Sequence, residues 1–181
     1  LSAAQIRGFN QAGGDVRFVA GDILLANPSG GTPSGLAAPA TGSLAFEAAT
    51  LRLGTGQVAM DQFSTVSLTA SHGLTGHGTG GLTVQNALTI TTPQLSGAAG
   101  AVRTLVSGGD LSLLSSAGAA TLVAGGLGSA LGITGANVQV GTVLRLPSGS
   151  LSIRSTTGNL DITSTLDVSG TAQGIYDVTR Y

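Results

Sequence analysis

The chain contains no cysteine and no tryptophan, and only four phenylalanines and two tyrosines among its 181 residues. Without cysteine there are no disulfides, no thiolate chemistry and no cysteine-ligated metal. The scarcity of aromatics argues against a membrane β-barrel, which carries aromatic girdles at both interfaces. Charge is scarce as well, at 8% of residues, against roughly 25% in ordinary domains. A net charge of -1 with seven scattered basic residues offers no field for a phosphate backbone. No nucleic-acid partner is expected. Disorder is not expected either, since it requires low hydrophobicity and high net charge, whereas 41% of this chain is hydrophobic. No apolar run reaches the roughly 18 residues of a membrane helix, and Leu1–Asn10 lacks the basic start and apolar stretch of a signal peptide.

What is present is alternation. Pairs of apolar residues flank one small or polar residue along the chain, as in Leu44-x-Phe46, Leu51-x-Leu53, Val66-x-Leu68, Leu88-x-Ile90, Leu111-x-Leu113 and Leu160-x-Ile162. Period two puts both members of a pair on one strand face. Gly, Ser, Thr and Asn fill the gaps, so each pair reads as a short strand between bends.

The pairs themselves repeat about every 20 to 24 residues. One series runs Ile23, Leu44, Val66, Leu88, Leu111, Leu131, Leu151. A second runs Leu51, Leu74, Leu95, a weak member near Ala117, Val138, Leu160. A third runs Val16, Leu36, Val58, Leu82, Val102, Leu122, Leu144, Leu166. This predicts an all-β fold: a right-handed parallel β-helix, or solenoid, with three short strands per turn and roughly eight turns, about 40 Å long. The expected outward positions Ala45, Ser67, Thr89, Ser112, Gly132 and Ser152 are uncharged, as stacking demands, because identical charges one turn apart repel. Arg145 falls one turn from Asp167 and is expected to pair with it.

Residues 1–181 read as one β-helical segment of a longer chain, with a loop bulging from an early turn over 27–42 and a thin turn over Ser115–Gly128. Asn27–Gly42 reads either as a plain surface insertion or as a binding loop.

The C-terminal third, Leu151-Ser-Ile-Arg-Ser-Thr-Thr-Gly-Asn-Leu-Asp-Ile162 with Leu166-Asp-Val-Ser-Gly170 and Tyr176-Asp-Val-Thr-Arg-Tyr181, resembles the filamentous haemagglutinin-like exoproteins of Gram-negative bacteria. The resemblance is strongest over Leu144–Tyr181 and diffuse elsewhere. It implies a large secreted protein of the two-partner secretion type, displayed on the cell surface as an adhesin or fibre. The secretion domain of that family is not recognisable here. The expected partners are neighbouring turns of the parent chain, end-to-end copies of the chain itself, and host or cell-surface glycans.

The residues offer little chemistry. A carbohydrate-active β-helix needs clustered carboxylates, but Asp15, Asp22, Glu47, Asp61, Asp110, Asp161, Asp167 and Asp177 are spread along the chain. Asp161 and Asp167 are expected on different faces of one turn. His72 and His77 lack a third ligand, and Asp61 approaches them only where the turns align. Gly78–Gly81 and Gly125–Gly128 have no following lysine and read as bends rather than phosphate loops. Gly108–Asp110 lacks the nonapeptide repeat of calcium-binding turns. No catalytic, cofactor or metal residue is assigned, and a structural rod is expected rather than an enzyme. The alternatives are a polysaccharide lyase or hydrolase, and a stalk carrying a toxin domain elsewhere in the parent chain.

Overall fold

The computed structural model describes residues 1–8, 13–35, 41–116 and 125–170. Among them every regular element is a strand. In chain order these are β1 (Gln5–Arg7), β2 (Asp15–Leu25), β3 (Ser43–Leu53), β4 (Gly56–Asp61), β5 (Thr65–Gly76), β6 (Thr79–Val84), β7 (Ala87–Thr91) and β8 (Gln94–Gly97). Then follow β9 (Val102–Ser107), β10 (Leu111–Leu114), β11 (Ala130–Gly135), β12 (Val138–Val140), β13 (Val143–Arg145), β14 (Ser150–Ser155), β15 (Leu160–Ile162) and β16 (Leu166–Asp167).

All pairings between these strands are parallel, and they form two sheets. The six-stranded sheet runs β1-β4-β6-β9-β11-β14. The ten-stranded sheet begins at β2 and β3, passes through β5, and divides into two branches, β7-β10-β12-β15 and β8-β13-β16. The chain alternates between the two sheets, and their inner faces share one apolar cluster that includes Phe46, Leu51, Met60, Leu88, Leu105 and Ile133.

Three ladders line this core. The first is Val16–Leu44–Val66–Leu88–Leu111–Val138–Leu160, flanked by Phe18–Phe46–Leu68–Ile90–Leu113–Val140–Ile162. The second is Ile23–Leu51–Leu74–Leu95–Leu144–Leu166. The third, in the six-stranded sheet, is Val58–Leu82–Leu105–Ile133–Ile153. Each fully buried aliphatic side chain contributes about 1.5–3 kcal/mol relative to exposure, and no rung could bury its apolar face without a neighbour.

The runs Leu44–Val66–Leu88–Leu111, Leu51–Leu74–Leu95 and Val58–Leu82 stack as expected. Other memberships are corrected. Ile23 belongs to the second ladder and Val16 to the first. Leu131 and Leu151, expected in the first series, lie in the six-stranded sheet, and Val138 and Leu160, expected in the second, lie in the first ladder. Leu144 and Leu166 continue the second ladder, not the third. Val102 points outward, 47% exposed, and Leu105 takes the inward place. Leu36, Ala117 and Leu122 lie outside the described residues. Among the described residues the first ladder has seven rungs, spanning about 29 Å from first to last.

The cause of these shifts is that at two places no described strand continues the stack. Between β2 and β3 no described residue of 27–42 joins the six-stranded sheet, 36–40 lying outside the described residues. There β1 pairs directly with β4. Between β10 and β11, across Ser115–Ser129, of which 117–124 lie outside the described residues, no described residue joins the second ladder, and β8 pairs directly with β13. A constant period carried across such an excursion rotates every later residue onto the wrong ladder.

The expected succession of three short strands, one in the six-stranded sheet and two in the ten-stranded sheet, is found among the described residues in β6-β7-β8, β11-β12-β13 and β14-β15-β16. In β2, β3 and β5 two short strands are fused into one of 11 or 12 residues, β5 bulging at Ser71–His72 where β3 has one residue fewer. Pro93 separates β7 from β8, since it has no N–H to give a ladder.

The outward row beside the first ladder is Ala45–Ser67–Thr89–Ser112–Gln139–Asp161. Gly132 and Ser152, expected there, instead line the six-stranded sheet beside Thr104. Arg145 does stand beside Asp167, with Nε 3.4 Å from a carboxylate oxygen.

Candidate functional site

The structure disperses the candidate residues. Asp15 accepts from Ser43, Glu47 pairs with Arg17, and the Asp110 carboxylate accepts from the backbone and side chain of Asn137. Hydrogen bonds from Arg17 hold the Glu47 carboxyl below its ordinary pKa. Two hydrogen bonds from Ser169, then the charge of Arg145, do the same for Asp167. Asp161 and Asp167 sit on separate strands, β15 and β16. Asp177 lies outside the described residues.

His72 sits in the β5 bulge and lines a recess with Thr50, Thr75, Gln94 and Ser96. His77 follows β5 and lines a different, shallow hollow with Arg52, Thr55 and Pro28. Asp61 lines neither. Among the described residues, no group of three or more His, Asp or Glu is placed to hold a metal ion.

The glycine runs have their backbone groups committed to the stack. The carbonyl of Gly78 accepts from Val102 N–H, Gly126 N–H donates to Gly97, and Gly128 N–H donates to Pro147. Gly108 N–H donates to Val84 and Gly109 N–H to Asn86. An anion cradle needs free N–H groups converging on one point, and these are spent on rungs above and below.

Two features escape a reading of the pattern alone. The first is the underside of the early excursion. Asp61, the last residue of β4, faces outward yet is fully buried. Arg7 on β1 grips it through Nε and Nη2, at 3.0 and 2.8 Å. The same guanidinium donates to Ser34 Oγ and to the Gly35 carbonyl. Gln5 holds Ser34 by its backbone N–H, and buried Asn27 donates to Gly31 and Gln57. The described part of the 27–42 segment is thus strapped onto β1 and β4. β1 and β4 pair directly although about fifty residues separate them, so no local pattern announces the pairing.

The second feature is Arg103. It occupies an inward position on β9, in register with Gly80 and Leu131, and is 3% exposed. Its Nη1 donates to the Gly54 carbonyl, and Nε has no partner. Burial pushes its pKa down. Room for it comes from glycines: a Cβ at Gly76 would lie 2.7 Å from Arg103 Cγ, and one at Gly80 2.6 Å from Nη1. The signal available in the sequence was the phase of Leu105, which requires residue 103 to face inward.

Taken as chemistry, the outer faces offer hydroxyls, amides and separate ion pairs, with no convergent acid, base or nucleophile among the described residues. Apolar surface collects at the two ends of the ladders. Compared with known proteins, the chain matches no family model, no curated protein and no solved structure.

Proposed function

We propose that the two parallel sheets close on each other as a right-handed β-helix, and that the chain is a structural rod of a secreted bacterial surface adhesin or extracellular fibre. The observation that carries this reading is the register. Seven rungs stack the same aliphatic positions over one core, and the outward row beside them is uncharged from Ala45 to Gln139, between Arg17 and Asp161. Right-handed closure follows from the general hand of parallel crossovers. A body built this way works by length and stiffness, with most backbone groups bound to the rungs beside them. The likeness of Leu144–Tyr181 to filamentous haemagglutinin-like exoproteins supplies the cellular setting. A role as an enzyme on polysaccharides draws no support from the placement of Asp61, which is consumed by Arg7, or of Asp161, which stands apart from the other acids.

Two measurements test the proposal. Small-angle X-ray scattering of the whole chain is expected to give the cross-section of a rod, constant along its length. A globular profile overturns the closure. Antibody against the chain is expected to label intact cells of its native source or their medium. Signal confined to lysed cells removes the surface role.

A further inference from the structure

Arg103 is the only buried arginine among the described residues. Arg7, Arg17 and Arg145 each stand against a carboxylate, whereas Arg103 has no ion pair among the described residues. Burial alone acts on its pKa, and no carboxylate offsets it. Its guanidinium makes one hydrogen bond, from Nη1 to the Gly54 carbonyl, and Nε is buried with no acceptor among the described residues. A guanidinium stays charged inside a protein. A buried charge with no counter-charge carries a large desolvation cost.

A cavity lies beside this unmatched charge. Its wall includes Arg103, Gly76, Ser96, Gly97, Leu105 and Leu131. Arg103 Cγ and Cδ lie 2.7 and 3.5 Å from where a Cβ on Gly76 would stand, and Nε is bonded to that Cδ. Gly76 and Gly97 are in register, and neither has a side chain to fill the space between them. The cavity measures about 10 Å³, room for one particle the size of a water. All its lining residues lie between Leu53 and Leu146, with described rungs on both sides.

The lining favours an ion over a water. A buried water needs about two to four polar partners. The wall is otherwise leucine, alanine and glycine, and its polar side chains are Arg103 and Ser96. An anion gains the attraction of the guanidinium in a medium of low dielectric, which a neutral water does not. The size of the cavity restricts the anion to a single atom, so sulfate and phosphate do not fit. Ser96 also borders the outer recess beside His72, which places a single strand between the cavity and the outer surface.

We infer that this cavity is a binding site for a monatomic monovalent anion, chloride or bromide, held by the guanidinium of Arg103 and the hydroxyl of Ser96. The ion neutralises the one buried arginine that the described residues leave without a carboxylate. It acts as a structural ion of the core.

The test uses the whole 181-residue chain in sodium gluconate, whose anion is too large for the cavity. Circular dichroism confirms that the variant keeps its strand content. Thermal unfolding is followed as chloride or bromide replaces gluconate at constant ionic strength. The wild-type melting temperature is expected to rise by about 2–6 °C up to roughly 300 mM halide, because a ligand bound only by the native state stabilises it. In Arg103→Met the same exchange is expected to move it by under about 1 °C, which separates site binding from the general effect of changing the salt. Wild-type crystals grown in bromide are expected to show an anomalous scattering peak within hydrogen-bonding distance of Arg103 Nε. Equal responses of wild type and Arg103→Met overturn the inference, as does a bromide crystal with no peak in this cavity. If Arg103→Met does not fold, the bromide peak decides alone.

Discussion

Leu144 lies in register beside Leu95, although the strand that should separate them in the second ladder is missing from the stack. A second contact seals the same junction, the Thr142 hydroxyl donating to the carbonyl of Thr92. Both leucines are buried. The ladder therefore closes over an excursion of the chain without leaving a void rung.

That closure predicts energetic coupling between residues two nominal repeats apart. Leu95→Ala and Leu144→Ala are each expected to cost about 2–5 kcal/mol in urea unfolding. Their double mutant is expected to depart from additivity by about 0.5 kcal/mol or more. Additive losses would mean that the two do not touch.

Along one ladder the cost should follow position. Leu68→Ala, in the middle, is expected to destabilise by about 2–5 kcal/mol. Ile162→Ala, at a side chain 41% exposed, is expected to cost under about 1 kcal/mol. Equal losses measured on the monomer would contradict the burial gradient.

Arg103 predicts a gain. A buried guanidinium without a carboxylate carries a desolvation cost, and a hydrophobe of like volume removes it. Arg103→Met is expected to be neutral or to stabilise by up to about 3 kcal/mol. Gly76→Ala, which drives a methyl group into the Arg103 side chain, is expected to destabilise by about 1–3 kcal/mol. Combining the two should relieve part of that loss, since Met bends more freely. Thermal or urea unfolding of the three variants reads all of this.

The strap over Asp61 predicts an order of melting temperatures. Arg7→Ala strands a buried carboxylate, whereas Arg7→Ala with Asp61→Asn leaves a neutral amide in its place. The single mutant is expected to melt below the double. Limited proteolysis should also cut the 27–42 segment faster in both than in the wild type.

Glu47 and Asp167 set the sign of the acid response. Both carboxyls have native pKa values below their ordinary ones. Their contribution is complete above the ordinary carboxylate range, near pH 4, and is lost as pH falls through the lower native values. Unfolding midpoints are expected to drop below about pH 4. In Glu47→Gln with Asp167→Asn that drop should shrink, as a titration of stability against pH would reveal.

How much of this was legible in the sequence can be judged from particular residues. Leu44, Val66, Leu88 and Leu111 stack as their spacing requires, because no excursion interrupts that stretch. Leu131 and Leu144 land on other ladders because periodicity counts residues, whereas the stack counts strands. Val102 was expected inside because it is apolar, but its neighbour Arg103 goes in and Val102 goes out. Local hydrophobicity lost there to the phase set by Leu105. The Arg7–Asp61 contact was invisible because it depends on two strands meeting after the chain between them has moved aside.

Leaving a strand out of the stack separates contour from span. Where β1 meets β4 and β8 meets β13, the described residues between them add no rung. Length added at such points need not disturb the register of the ladders on either side. A ruler graduated in amino acids would therefore overstate the length of these ladders.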